Sequence, residues 1–330
     1  MKTAKDFEQL RGPILRAVSR SFYLSLRALP PALRDPLSLA YLLARATDTI
    51  ADTTGVPAKV RMDALRNLVD AIQGTAATVE AVCASFAPLQ SDAAERALID
   101  ALPAALAWLD LLEERDRSEV RSVLEKINRG QTLDLERFSG GEMQALSTAA
   151  DLDEYTYLVA GCVGEFWTRL CFAHVTNFSD RPEAEMRDLG VQYGKGLQLI
   201  NILRDAGADL KEGRCYLPAS ELRSLGLTPE EILRNPARAA PVLQPWLEKA
   251  QRGLDAGIDY ACAIRPRRIR FATALPALIG ARTLALLRQA GPELFERKIK
   301  VSRAEVRKII SSTALTFASC RSLRSALERC

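Results

Sequence analysis

The chain has 330 residues, 48% hydrophobic and 26% charged, which is enough apolar content for a continuous core and excludes a disordered or low-complexity protein. Its 45 Lys and Arg against 41 Asp and Glu leave a formal charge of +4, too balanced for a nucleic-acid footprint, so no nucleic-acid partner is expected. Seven scattered cysteines without a CxxC pair argue against a disulfide framework or a zinc site and fit a reducing compartment.

The N-terminal "MKTAKDFEQLRGPILR" mixes charges among its apolar residues and lacks the apolar region of a signal peptide. No uncharged run approaches the about 20 residues that span a bilayer; "FATALPALIGA" at 271–281 is flanked by arginines. A soluble, cytoplasmic chain is expected. Apolar residues recur at spacings of three and four, as in Leu102, Leu106 and Leu109 or Val120, Leu124 and Ile127, and strict alternation is scarce, so the prediction is nearly all helix. Connections are predicted at 29–36, 53–57, 138–142, 177–183, 211–218 and 264–268, where Gly, Pro and polar residues gather. With no internal repeat and no Gly/Ser/Pro-rich linker, residues 1–330 are read as a single helical domain.

Several chemistries are missing. The one histidine, His174, lies in the apolar "LCFAHVTNF" and reads as a satisfied core residue, which leaves no His-based triad or multi-histidine metal site. "GKGLQL" at 194–199 lacks the third glycine and the preceding strand of a dinucleotide fingerprint, and no Walker motif exists.

Two helices instead carry acidic stripes. In "YLLARATDTIAD" at 41–52, Tyr41, Arg45, Asp48 and Asp52 fall at offsets 0, 4, 7 and 11 and share one face, opposite Leu39, Leu42, Leu43 and Ile50. In "QLINILRDAGADLKEGR", Gln198, Asn201, Asp205 and Asp209 repeat the pattern. A third DxxxD, Asp255 and Asp259, has no arginine three residues ahead and reads as a solvated face. For each stripe alone the competing reading is an exposed acidic edge or an ion pair with its arginine. Together, four carboxylates embedded in apolar helices suit hard divalent cations, and magnesium commonly bridges carboxylates to substrate phosphates. Arg45 and Arg204 supply positive charge, and Gln198 and Asn201 supply amides for bound oxygens or water. Such a device draws diphosphate off an organic group.

These residues resemble the squalene and phytoene synthases, the head-to-head trans-isoprenyl diphosphate synthases. The likeness rests on "SRSFYLSLRALP" at 19–30, "YLLARATDTIAD" at 41–52, "YTYLVAGCVGEFW" at 155–167, "GKGLQLINILRDAGADLKEGRCYLP" at 194–218 and, more faintly, "FATALP" at 271–276 and "KIKVSR" at 298–303. It implies an all-α isoprenoid-synthase (terpenoid synthase) fold, with the two aspartate motifs facing each other across a central cavity. Asp48, Asp52, Asp205 and Asp209 would bind magnesium and diphosphate. Ser19, Arg20, Ser21, Arg45, Gln198, Asn201, Arg204, Arg214 and Tyr216 would line the diphosphate region, and Phe22 and Tyr41 would flank the first-reaction site. Tyr155 would act near the departing diphosphate, with a core tyrosine as the alternative. The small Ala160, Gly161 and Gly164 would leave room for a prenyl chain or serve close helix packing.

The resemblance further implies condensation of two farnesyl diphosphates through presqualene diphosphate, then NADPH-dependent reduction to squalene. Its alternatives are a non-reductive phytoene or dehydrosqualene synthase and a non-catalytic homologue acting in assembly or binding. Toward the reductive reading, Tyr260 lies sixteen residues before Pro276, a spacing similar to squalene synthases, and Lys300 and Arg303 fall where those enzymes place basic residues near the nucleotide phosphates. Ala51 replaces a glutamate of the eukaryotic motif. Arg265, Arg267, Arg268 and Arg270 form a basic cluster, read as a solvated face or as peripheral contact with anionic lipid at the inner membrane face.

Overall fold

The computed structural model describes residues 4–19, 23, 26, 27, 29–53, 55–75, 78–140, 142–316 and 319–329. The chain divides into two compact units, Met1–Glu136 and Arg137–Cys330. Five helices exceed twenty residues among the described residues: α1 (Pro31–Ala51), α2 (Glu114–Phe138), α3 (Glu183–Lys211), α4 (Ala240–Ala263) and α5 (Arg267–Ala290).

In the first unit, α1 begins inside the stretch 29–36 that the sequence reading assigns to a connection. Pro31 occupies the first turn, where its missing N–H has no intrahelical acceptor to lose. Pro36 gives up one early helical bond and is buried beside Leu33 and Leu37. Leu33, Leu39, Leu42, Leu43, Ala46 and Ile50 are fully buried, and each such leucine or isoleucine contributes roughly 1.5–3 kcal/mol. This stripe packs on the helices Ala58–Gln73, Ala93–Asp100 and Leu102–Asp110. The carbonyl of Ala51, at the end of α1, accepts a hydrogen bond from Arg61. Nearby, the Thr53 hydroxyl donates to the Thr49 carbonyl at 2.7 Å and accepts from Gln90 at 3.0 Å.

In the second unit, α3 packs on the helix Cys162–His174, on α4 and on α5. Glycines set how closely these helices approach. A Cβ on Gly164 would lie 2.0 Å from the Gly190 carbonyl oxygen, and one on Gly196 would lie 2.6 Å from the Gly253 Cα. The small residues of 160–164 thus serve helix packing: the Ala160 carbonyl oxygen would meet a Cβ on Gly194 at 2.3 Å. Just before that crossing, Tyr157–Gly161 widens into a π-helical turn, a local irregularity often found beside functional sites.

The strands are minimal. β1 (Gln144–Ala145) and β2 (Arg214–Cys215) pair in parallel, Gln144 with Arg214 and Ala145 with Cys215. Gly213, at φ 83°, supplies the left-handed turn that carries the chain from the end of α3 into β2. Among the described residues one helical stretch, Arg267–Phe295, qualifies as a membrane span by length and composition, but 56% of its 18-residue apolar window is buried inside the structure. Its residues Ala274, Ala277, Leu278, Leu284 and Leu287 belong to the core of the second unit.

Candidate active-site residues

The first motif occupies the last three turns of α1 and the residue that follows it. Arg45 pairs with Glu95, from the helix Ala93–Asp100, and reaches Asp48 at 4.0 Å. Protein encloses only about half of the Asp48 side chain, 52% of whose surface stays open. Desolvation by that enclosure, aided by the charge of Asp52, pushes its carboxyl up to about 6 against the hydrogen bond from Gln131. Asp52 follows the last helical residue and is exposed. Tyr41 is half-buried, its hydroxyl donating to the Val18 carbonyl at 3.1 Å. Ser19 is buried and donates to the Leu15 carbonyl, so its hydroxyl closes a helical turn. Arg20, Ser21 and Phe22 lie outside the described residues.

Two residues absent from the sequence reading complete this patch. Gln131 on α2 donates to Asp48 Oδ1 at 2.7 Å, across 83 positions of sequence. Asn128, one turn earlier, is buried, and neither its Nδ2 nor Gln131 Oε1 has a hydrogen-bond partner among the described residues. Their signal was present: Leu124, Asn128, Gln131 and Leu135 share one face of α2, and two amides on a face destined for burial call for polar partners.

The second motif lies on α3. Asn201 donates to Gln198 at 3.4 Å, and Arg204 grips Asp205 through two hydrogen bonds of 3.1 and 2.5 Å. Asp209 is the more enclosed carboxylate, with 15% of its side chain exposed. Burial pushes it up to about 6, opposed by Arg214 and assisted by the charges of Asp205 and Glu212. Arg214 sits 2.8 Å from both Asp209 and Glu212. The β1–β2 pairing holds Arg214 there. It also delivers buried Tyr216 onto Tyr155, stacked at 5.1 Å, and against the edge of Phe138 at 5.3 Å. A cleft of about 160 Å³ opens beside Arg204, Asp205 and Lys211, with Phe295 and Lys298 on its other side.

The remaining candidates have other surroundings. Tyr260 is buried in α4, its hydroxyl 2.8 Å from Thr168 Oγ1. Lys300 and Arg303 are exposed cations at the approach to the helix Arg303–Thr316. His174 is half-buried at the end of its helix, and no disulfide joins the six described cysteines.

Magnesium suits this donor set by its chemistry. Each motif offers hard carboxylate oxygens, and in each the desolvated member is held up near 6 with a second carboxylate beside it, an excess of negative charge that a divalent cation relieves. Among the described residues no three His, Cys, Asp or Glu side chains come together as a complete ligand set. A bound ion would therefore complete its coordination with water or with phosphate oxygens.

A family model described as squalene/phytoene synthase matches residues 15–305. The chain is 32% identical over 222 residues to a bifunctional lycopene cyclase/phytoene synthase of Colletotrichum graminicola, covering 66% of this chain and 35% of that protein. It is 26% identical over 331 residues to squalene synthase ERG9 of Saccharomyces cerevisiae, covering 96% of this chain and 67% of the yeast protein. The chain thus spans about a third of the bifunctional protein and about two thirds of the yeast one. Among solved structures, TcSQS in complex with E5700 superposes with a TM-score of 0.78 at 22% identity, covering 98% of this chain and 90% of that one. This likeness bears out the all-α isoprenoid-synthase fold.

Proposed function

The chain belongs to the squalene/phytoene synthase family, and from that premise we propose that it joins two farnesyl diphosphates head to head through presqualene diphosphate and reduces the product to squalene. The observation that carries the reading is the recurrence, once in each unit, of a carboxylate pair with a desolvated member and an arginine beside it.

Asp48, Asp52, Asp205 and Asp209 hold magnesium in this proposal. When bound, the metal supplies positive charge to the departing diphosphate. The protein's own contribution is charge and position. Arg45, Arg204 and Arg214 face anionic groups already, so each can exchange a carboxylate partner for a phosphate oxygen. Gln198 and Asn201 orient substrate oxygens or water, and Gln131 keeps Asp48 in place. The ring of Tyr155 stacks on Tyr216, and its hydroxyl is assigned to the departing diphosphate in this reading. Ser19, Arg20, Ser21, Phe22, Tyr41 and Tyr260 complete the substrate surroundings in this reading. Carbocation intermediates need no side-chain nucleophile, only apolar walls that exclude water. Lys300 and Arg303 are assigned to the phosphates of NADPH, the reductant of the second step. Exposed Arg265, Arg267 and Arg268 are the proposed contact with anionic lipid, and a cytoplasmic location is part of the same proposal.

The likeness to the fungal phytoene synthase segment supports a second reading, a synthase that stops without reduction. Incubation with farnesyl or geranylgeranyl diphosphate and magnesium, with and without NADPH, separates the two. Squalene formed only with NADPH is the expected outcome. A C40 product from the longer substrate, or a hydrocarbon formed without reductant, overturns it.

A further inference from the structure

Cys262 and Cys320 meet although 58 positions separate them in sequence. Cys262 lies in the last turn of α4, and Cys320 is the first residue of the helix Cys320–Glu328. The Cys320 thiol donates to the Cys262 carbonyl at 3.6 Å, and the two thiols are close enough to interact directly. Both are half-buried free thiols. They open onto a cleft of about 510 Å³ whose other walls include Asp180, Arg181, Arg321 and Arg324. The short helix is docked independently of sulfur: Leu323 is fully buried, and Arg324 pairs with Asp259 of α4 at 2.9 Å. The two sulfurs are therefore held in register rather than meeting by chance.

We propose that Cys262 and Cys320 form a reversible redox pair that reacts with low-molecular-weight disulfides and, once oxidised, staples the C-terminal helix Cys320–Glu328 to the end of α4. The chemistry has a direction. Cys320 is the first residue of the short helix and lines the cleft, so its sulfur is the attacking one. Burial, with the neighbouring Cys320 adding, pushes the Cys262 thiol up to about 12, against the pull of Arg324 and Arg270. The Cys320 thiolate attacks one sulfur of the small disulfide, forms a mixed disulfide and expels one thiolate. Cys262 then attacks the Cys320 sulfur, losing its proton to solvent, and expels the second thiol. Two protein thiols are oxidised, one external disulfide is reduced to two thiols, and two electrons are transferred.

The test uses the full chain and glutathione disulfide, followed by acid quench, denaturation, alkylation and mass spectrometry. The sequence holds seven cysteines, so alkylated sites fall from seven to five on oxidation and return to seven after reduction. A peptide joining Cys262 to Cys320 appears only before reduction. Cys262→Ser traps glutathione on Cys320, whereas Cys320→Ser leaves Cys262 unmodified, with circular dichroism confirming that each variant is folded. Seven alkylated sites after oxidation, separate glutathione adducts without a cross-link, or a cross-link between other cysteines each overturns the proposal.

Discussion

Asp48 and Asp209 reach the same electrostatic condition by different routes. Asp48 is open on one side but desolvated by its surroundings and repelled by Asp52, whereas Asp209 is enclosed and relies on Arg214 for compensation. Both carboxyls are raised from an ordinary value of 3.8 to about 6. Between those values the folded protein binds more protons than the unfolded chain, so their contribution to stability is present at low pH and is lost as pH rises through about 6. In metal-free buffer Asp48→Asn and Asp209→Asn should each flatten the fall in thermal midpoint across that window; an unchanged slope rejects the assignment. Each variant should also lose turnover by roughly 10²–10³-fold while the fold stays intact. Gln131→Leu removes the hydrogen bond that orients Asp48. Loss of such an outer-shell partner typically costs roughly 10–100-fold in metal affinity or activity. The magnesium dependence of kcat/KM, together with magnesium-induced thermal shifts, measures it. An effect on stability alone would make Gln131 a structural residue.

At the scale of elements, glycine contacts and a two-residue strand pairing do the positioning. Gly196 on α3 meets Gly253 on α4 backbone to backbone, so Gly253→Ala forces the helices apart at the level of Gln198 and Asn201. Overpacking of this kind costs about 1–3 kcal/mol, read as a lower urea midpoint. Activity should fall further than stability predicts, because the helix carrying Asp205 and Asp209 moves with it. The β1–β2 pairing fixes Tyr216 and, through the stack, Tyr155. Tyr155→Phe keeps the stacked ring and should lower turnover without changing the melting temperature, whereas Tyr155→Ala also forfeits about 0.5–1.5 kcal/mol of ring pairing. Full activity in Tyr155→Phe would return this residue to the core.

At the scale of the whole molecule, each unit carries one aspartate motif, and all four aspartates are present. A non-catalytic homologue with a binding or assembly role is the alternative that such completeness disfavours. A non-hydrolysable farnesyl diphosphate analogue with magnesium discriminates directly. Binding to the native state alone adds about 2.7 kcal/mol at a hundredfold excess over Kd, seen as a magnesium-dependent rise in melting temperature. No shift, or one indifferent to magnesium, counts against the synthase reading.

Helix content, the order of the motifs and the residue types on each acidic stripe were legible in the sequence, because periodicity and spacing are local properties of the chain. The connection expected at 29–36 was misplaced because a proline at the start of a helix and a proline that breaks one look alike without their burial. Whether the small residues of 160–164 make room or make contact was equally undecidable until Gly190 and Gly194 stood opposite them. Gln131 and Asn128 stayed hidden because their meaning lies in a partner 83 positions away, and the Cys262–Cys320 pair because its members lie 58 apart. Sequence alone determined which groups this protein owns. Only the tertiary structure decided which carboxylates are desolvated and which amides and thiols stand beside them, because solvation and hydrogen bonding depend on distance in space.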